Sequence, residues 1–363
     1  DWKRLENLSD TSDVQVQDLV DPLHHVRGHP RPSSMTAVVD WSTSENVTVD
    51  VRPLDAQRLF SHDKTYLLIG LSGQIGQSQS DWMIANGAGS VCLASRNPNV
   101  DKNWLKTFEA KNATVKIYSM DITDKAALER VVSDVRATCP PIAGVANGAM
   151  VLKDTMFSKM SVETMQAVLG PKIDGTRNLD GIFYKEPLDF FILFSSSACV
   201  IGNSGQSNYA AANGYLNGLA KQRRKRGLAA SEMDIGRVAG IGYVETAGKA
   251  VMQQLTRFGL MAINELELHQ MFAETVLAGY PRNEDKAGII DAVVTTGIRN
   301  IRNDEDILGP WFGNPLFSHC IIESRDTQTA TDTQDKKASL PVAAQLRMAS
   351  TTEEALETVK MSD

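Results

Sequence analysis

Cysteine is scarce in this sequence: 363 residues contain four, Cys92, Cys139, Cys199 and Cys320, and no two form a Cys-x-x-Cys pair. That scatter signals neither a disulfide framework nor a zinc site, and it predicts a reducing, cytoplasmic setting. Histidine is thin as well. The six residues include the neighbours His24 and His25 but no His-x-His or His-x-x-x-His arrangement, so no metal is expected. An excess of positive charge is also missing. With 37 basic and 44 acidic residues the net charge is −7, the wrong sign for a chain that holds a phosphate backbone, and no nucleic-acid partner is expected. No apolar run approaches the roughly 18–20 residues that span a bilayer, and no basic-then-apolar leader opens the chain, so no membrane role is expected either. The sequence begins at Asp1 rather than Met, which predicts a piece of a longer protein.

What is present is a globular composition, 42% hydrophobic and 22% charged, with length for one large domain or two modest ones. Three parts are expected. Residues 1–61, carrying Pro30, Pro32, Ser33 and Ser34, read as a connector with one or two strands, and VTVDVRP at 47–53 is a candidate strand. Residues 62–326 hold the main domain. Residues 327–363 begin with a Thr/Asp/Gln/Lys-rich stretch too poor in apolar residues to repay its ordering entropy, and read as a linker towards a further domain.

Within the main domain, short β-rich runs alternate with segments of helical period, the pattern of βαβ units and a parallel sheet. The expected fold is α/β, a doubly wound Rossmann-like sheet of about seven strands with helices on both faces. The strand candidates are TYLLIG (65–70), GSVCLAS (89–95), TVKIYSM (114–120), IAGVANGA (142–149), LDFFILFSS (188–196), AASEMDIG (229–236) and GIIDAVVT (288–295). Helices are expected at 74–85, 103–111, 125–138, 162–179 and 208–226, with a pair between 247 and 277. The stretch from Gly240 to Leu277, with Met252, Phe258, Leu260 and Met261, fits a helical lid over a substrate or a plain packed helix pair.

The first strand runs into Gly70, Leu71, Ser72, Gly73, Gln74, Ile75 and Gly76 and then a helix. Glycines at this spacing let the backbone turn tightly and approach a pyrophosphate, whose charge sits on the free N–H groups of the helix start. The same turn also fits an ordinary strand-to-helix connection. Where an NAD site would end its second strand in Asp or Glu, this chain has Ser95 and Arg96. A guanidinium beside a hydroxyl suits a 2′-phosphate, so NADPH is the expected cofactor; a solvated loop arginine is the plain alternative. Asp121 and Ile122 end the third strand where an adenine edge would lie. Asn147, Gly148 and Ala149 end the fourth, where small residues admit a nicotinamide ribose.

The segment FSSSACVIGNSGQSNYAAANGYL puts Ser195, Ser196 and Ser197 at the carboxyl end of a buried strand, the edge where doubly wound sheets bind ligands. Tyr209 and Asn213 follow, one turn apart on a helix and so on one face. A phenol with a pKa near 10 is a poor acid or base at neutral pH unless a cation stands nearby.

From about residue 64 to 325 the chain resembles the ketoreductase domain of fungal highly reducing type I polyketide synthases, including those fused to peptide synthetase modules. The resemblance rests on KTYLLIGLSGQIGQS, PPIAGVANGAMVLKDTMF and FFILFSSSACVIGNSGQSNYAAAN. It implies membership of the short-chain dehydrogenase/reductase superfamily, with the needed lysine supplied by a PKIDGT-like segment, here Pro171 to Thr176. The implied catalytic tetrad is Lys172, Ser196, Tyr209 and Asn213, Ser196 being chosen because it stands thirteen residues before the tyrosine. The implied reaction is NADPH-dependent reduction of a β-ketoacyl thioester, carried on the phosphopantetheine arm of an acyl carrier protein, with other domains of the same synthase as partners. Leu152 and Asp154 are implied substrate-side residues: the family's Leu-Asp-Asp triplet reads Leu152, Lys153, Asp154 here, and the triplet marks a B-type, usually 3R, alcohol. Cys199 departs from the family's usual small residue beside the serines. Two other functions fit the pattern, a non-catalytic bracing domain of the same synthase and a free-standing NADP reductase. The basic run 221–226 fits a solvated helix end or a dock for an acidic carrier protein.

Overall fold

A computed structural model of the chain describes residues 14–18, 36–40, 54–241, 258–281, 292–302, 305 and 311–322. The strand candidate at 47–53, the first half of the helix pair and the linker at 327–363 lie outside those residues. In the N-terminal connector, β1 (Val14–Asp18) and β2 (Thr36–Asp40) pair in parallel with each other.

From Thr65 the alternation of strand and helix is regular. β3 (Thr65–Ile69), β4 (Ser90–Ser95), β5 (Thr114–Ser119), β6 (Ile142–Asn147), β7 (Phe190–Ser196), β8 (Ser231–Ile235) and β11 (Val293–Thr295) form one sheet in the order β11-β8-β7-β6-β3-β4-β5. Every pairing is parallel. The short strands β9 (Arg237–Val238) and β10 (Ala262–Ile263) pair with each other beside this sheet. The chain winds outward from β3 through β4 to β5, then returns to β6 on the other side of β3. That reversal opens a crevice at the carboxyl ends of β3 and β6, the position where doubly wound sheets take ligands.

The inner strands β3, β4, β6 and β7 are mostly apolar, so both sheet faces need cover, and residue alternation divides the core accordingly. Tyr66, Leu68, Phe190, Ile192 and Phe194 face α1 (Gln74–Ala85), α2 (Lys102–Glu109) and α7 (Glu265–Ala278). Leu67, Ile69, Phe191 and Leu193 face α3 (Lys125–Thr138), α4 (Val162–Ile182) and α6 (Ser207–Lys225). The helices start where the sequence offers an oxygen to their free N–H groups: Asp124 caps α3, Ser161 caps α4, and Asn264 with Glu267 makes a capping box on α7.

Two expectations change here. α7 is no lid: Leu268, Met271, Phe272 and Val276 are buried against the sheet, because an amphipathic stretch next to an uncovered sheet face gains most by covering it. Residues 242–257, the rest of the expected lid, lie outside the described residues. The basic run at the end of α6 is not simply solvated, nor is its whole length a docking face. Arg223 and Arg224 are buried, and Arg223 lies 3.9 Å from the centre of the Phe191 ring while pairing with Asp180 of α4.

Candidate active site

The crevice at the switch point is a cleft of about 860 Å³, and both the glycine turn and the serine, tyrosine and lysine positions line it. On the β3 side the turn is shaped by close approach. Gly70 has φ +72°, and a Cβ there would meet the Ala149 backbone nitrogen at 2.2 Å. The ends of β3 and β6 therefore touch backbone to backbone, tied by the Gly148 N–H donating to the Ile69 carbonyl at 2.8 Å. A Cβ on Gly76 would fall 1.6 Å from the Leu71 carbonyl oxygen, so α1 packs against the turn more tightly than any larger residue permits. Gly73 differs: nothing lies within 4 Å of where its Cβ would be, and as the N-cap of α1 it brings no side-chain acceptor. The first-turn N–H groups of α1 face an open space with no acidic residue beside them, a cradle that fits a pyrophosphate.

Gln74, Ile75, Ser95, Arg96, Asp121, Ile122, Gly148 and Ala149 all border the cleft. Ser95 shares a 2.6 Å hydrogen bond with Ser72. Arg96 is exposed beside it, its carbonyl held by the Ser119 hydroxyl at 2.8 Å. Burial works to raise the Asp121 carboxyl, but donation from the Thr123 N–H and hydroxyl, at 2.8 and 2.7 Å, together with the Arg96 charge, holds it below its usual range.

Three expected site residues stand behind the cleft wall rather than on it: Ser72, Asn147 and Asn213. Asn147 is a brace. Its Nδ2 donates to Thr176 Oγ1 at 2.8 Å and to the Pro171 carbonyl at 3.3 Å, while its Oδ1 accepts from the Ala149 N–H at 3.0 Å. It thereby fixes the β6 end to the helix that carries Lys172, just after the proline that interrupts the helical ladder.

Lys172, Tyr209 and Ser196 come from three elements and converge. Lys172 is 2% exposed; its Nζ donates to the Phe194 carbonyl at 2.6 Å and lies 5.4 Å from the centre of the Tyr209 ring. Burial pulls the lysine down to about 8, with Cys199, Glu232 and Asp234 beside it working the other way. Burial also raises the Tyr209 phenol, and the neighbouring Asn213 and Ser196 side chains offset part of that rise. Asn213 is fully buried one turn along α6, and its amide atoms have no hydrogen-bond partner among the described residues. Ser196 caps the short helix α5 (Ser197–Ile201), its Oγ accepting from the Ala198 N–H at 3.2 Å. The cap uses a lone pair and leaves the hydroxyl proton for another acceptor.

The loop after β6 closes one side of the mouth. Leu152 and Asp154 line the cleft, and Asp154 accepts from Gln206 Nε2 at 2.9 Å. Lys153 is exposed and contributes its carbonyl to Asn208 Nδ2 at 3.1 Å. Gln206, Met120 and Met150 also reach the cleft, although neither Gln nor Met carries a pattern in the sequence that would single them out.

A glycine turn at the switch point facing a buried lysine, a tyrosine and a serine defines a nucleotide-dependent reductase of the short-chain dehydrogenase/reductase fold. Residues 64–240 match the family model of the KR domain, and this stretch belongs to that family: it is a ketoreductase domain, of a kind that works with a nicotinamide cofactor. Over 325 residues the chain is 55% identical to the hybrid PKS-NRPS synthetase thnA of Trichoderma harzianum. It is 48% identical over 327 residues to the hybrid PKS-NRPS synthetase traA of Penicillium crustosum. Each match covers 90% of this chain, which spans 8% of the length of either relative. Among solved structures, the PlmKR1 ketoreductase from the first module of phoslactomycin biosynthesis in Streptomyces sp. HK803 aligns with a TM-score of 0.55 and 28% identity. That alignment covers 60% of this chain and 50% of the other. No described helix is long and apolar enough to cross a membrane.

Proposed function

We propose that this domain reduces a β-ketoacyl thioester, carried on the phosphopantetheine arm of an acyl carrier protein, to the β-hydroxyacyl thioester with NADPH. The observation that carries the reading is the convergence of Lys172, Tyr209 and Ser196 on a cleft whose opposite wall is the open helix start at Gly73. NADPH, when bound, supplies the hydride. As the substrate carbonyl takes negative charge, Tyr209 donates its phenolic proton to that oxygen. Ser196 holds the same oxygen through the hydroxyl proton that its capping bond leaves available. Burial that raises the phenol keeps it protonated and fit to donate, and the Lys172 ammonium stabilises the phenolate left behind. Asn213, buried without a partner among the described residues, is placed to hold the water or the lysine through which that proton is restored.

Incubating the chain with a β-ketoacyl N-acetylcysteamine thioester and following NADPH absorbance tests cofactor, reaction and substrate class together. Oxidation of NADPH with appearance of the β-hydroxy product is expected. No turnover by a folded, NADPH-binding protein would leave the bracing role instead.

The cofactor choice rests on Ser95 and Arg96. Arg96→Ala is expected to erode the preference for NADPH over NADH by about 1.5–3 kcal/mol, the range for hydrogen bonds to a charged group. Paired kcat/KM values for the two cofactors measure it, and equal use of both by the unmutated chain would refute the assignment.

The handedness of the product follows from the loop at the mouth. Lys153, the residue that breaks the triplet, is exposed, so its substitution removes nothing from the cleft that Leu152 and Asp154 line. A substrate guided along that loop presents one carbonyl face, and the expected product is the B-type, 3R alcohol from an unbranched substrate. Chiral chromatography decides it: a predominantly 3S product would refute the guidance while leaving the tetrad assignment intact.

A further inference from the structure

Beneath the tetrad lies a buried acidic pair that the reduction step leaves unexplained. Glu232 and Asp234 alternate along β8, so both project to one sheet face. Met233 between them joins the opposite core with Phe194, which puts the two carboxylates on the side of α4 and α6. Each is 2% exposed. One carboxylate oxygen of each and the Cys199 Sγ lie within 4.8 Å of one another. Thr295 Oγ1 of β11 donates to Asp234 Oδ2 at 3.0 Å, Cys199 Sγ of α5 stands 3.9 Å from Asp234 Oδ1, and Ser195 Oγ of β7 stands 3.3 Å from that sulfur. Ser195 and Asn217 of α6 also hold Glu232.

A carboxylate pair in so dry a site is costly unless a positive charge answers it. Lys172 has the complementary problem, an ammonium buried as deeply and hydrogen-bonded to a neutral carbonyl. The two meet in the sheet register. The Phe194 carbonyl that holds Lys172 belongs to the residue paired with Met233, so Glu232 and Asp234 flank that point along β8. We propose that Glu232 and Asp234 are the buried counter-charge of Lys172, positioning residues that keep its ammonium charged beside Tyr209. The proposal deepens the reading of Lys172 and Tyr209 as the reducing machinery and rests on it.

The directions in which these groups shift support this role. Burial first, then the Asp234 charge, pushes Glu232 up to about 7, and burial raises Asp234 too. Burial raises both carboxyls and lowers the lysine, and the charges of Glu232 and Asp234 work against that fall by favouring the ammonium. The groups facing Lys172 are Cys199 from α5, Tyr209 from α6 and the two carboxylates from β8; burial pushes Cys199 up to about 11, so its thiol is neutral near pH 7.

The test reads Lys172 directly. In protein labelled at the lysine side-chain nitrogens, with the Lys172 signal identified by its loss in Lys172→Arg, the midpoint of titration is compared between wild type and Glu232→Gln/Asp234→Asn. A fall of about one pH unit or more is expected, the size of shift a close opposite charge produces, with each single variant part of the way. The alkaline limb of kcat should move down with it. An unchanged midpoint in the folded double variant would overturn the proposal. So would carboxyl carbon spectra of the wild type showing both groups protonated at pH 8, a measurement that needs no variant. A wild type that reduces no thioester while Lys172 shifts as expected would sink the reduction reading alone.

Discussion

Tyr209→Phe should keep NADPH binding and lose ketone reduction by about 10²-fold or more, the scale of a lost general acid. The substitution removes one oxygen from a ring that is 7% exposed and lies close to the Lys172 ammonium, so the surrounding packing survives. Among the described residues no backbone group bonds to that hydroxyl. The hydroxyl donates weakly to the Met150 sulfur at 3.9 Å, and the loss of so weak a contact leaves the fold untouched. Single-turnover reduction alongside fluorescence titration of NADPH separates the two effects, and turnover within a few-fold of wild type would remove Tyr209 from the mechanism.

The second large effect falls on the scaffold. Gly70→Ala is expected to destabilise the domain by about 2–4 kcal/mol and to abolish NADPH binding. Two costs add there: a left-handed backbone at φ +72° that an L side chain resists, and a Cβ directed into the Ala149 nitrogen at 2.2 Å. Neither neighbour can retreat easily. The Gly70 N–H is bonded to the Ala94 carbonyl at 2.7 Å on one side while Gly148 is bonded to Ile69 on the other, so relief means prying apart β3 from β4 or β6. Urea unfolding measures the stability loss, and a Gly70→Ala protein as stable as wild type would contradict the close approach. Gly73→Ala, with open space around it, is the control: folding should be kept while the cradle for the pyrophosphate narrows.

Much of the fold is legible in the sequence because the strands are short, apolar and evenly spaced. The helix at Gln74–Ala85 and the one at Lys125–Thr138 have the expected bounds, since glycine and aspartate caps mark their starts in the sequence itself. α4 runs on past Leu179 to Ile182, because Phe183 is buried against the sheet and holds the last turn in place. The part of the expected lid that forms α7 covers the sheet instead, while Phe258 and Leu260 of the same stretch line the cleft. Apolar residues at helical spacing look alike whether they cover a cleft or a sheet, and only the sheet order reveals that β8 and β11 needed α7.

Within the site, legibility follows pattern. The glycines, Ser196 and Tyr209 carry spacing, and Lys172 is reached only through a family motif. Glu232 and Asp234 sit inside SEMDI, where two acids at alternate positions in a buried strand are the signal; it is visible only once that strand is known to be flanked on both sides, by β7 and β11. Asn147 and Asn213 share a letter and differ in what they do. Asn147 is fully hydrogen-bonded between β6 and α4, whereas Asn213 is buried with its amide unspent among the described residues.

The ion pair between Arg223 and Asp180 joins α6 to α4, the helices that carry Tyr209 and Lys172. It lies at the end of both helices remote from the reacting atoms, with the guanidinium stacked on Phe191 of the strand beneath. Losing Asp180 strands the Arg223 charge in the interior at a cost of about 3–5 kcal/mol, whereas Asp180 without Arg223 still pairs with Arg226. Drift in this lineage is therefore constrained in one direction: a descendant that replaces Asp180 must replace Arg223 in step, while Arg223 can change first because Arg226 still answers Asp180. The spacing of lysine and tyrosine is inherited through two residues that never meet the substrate.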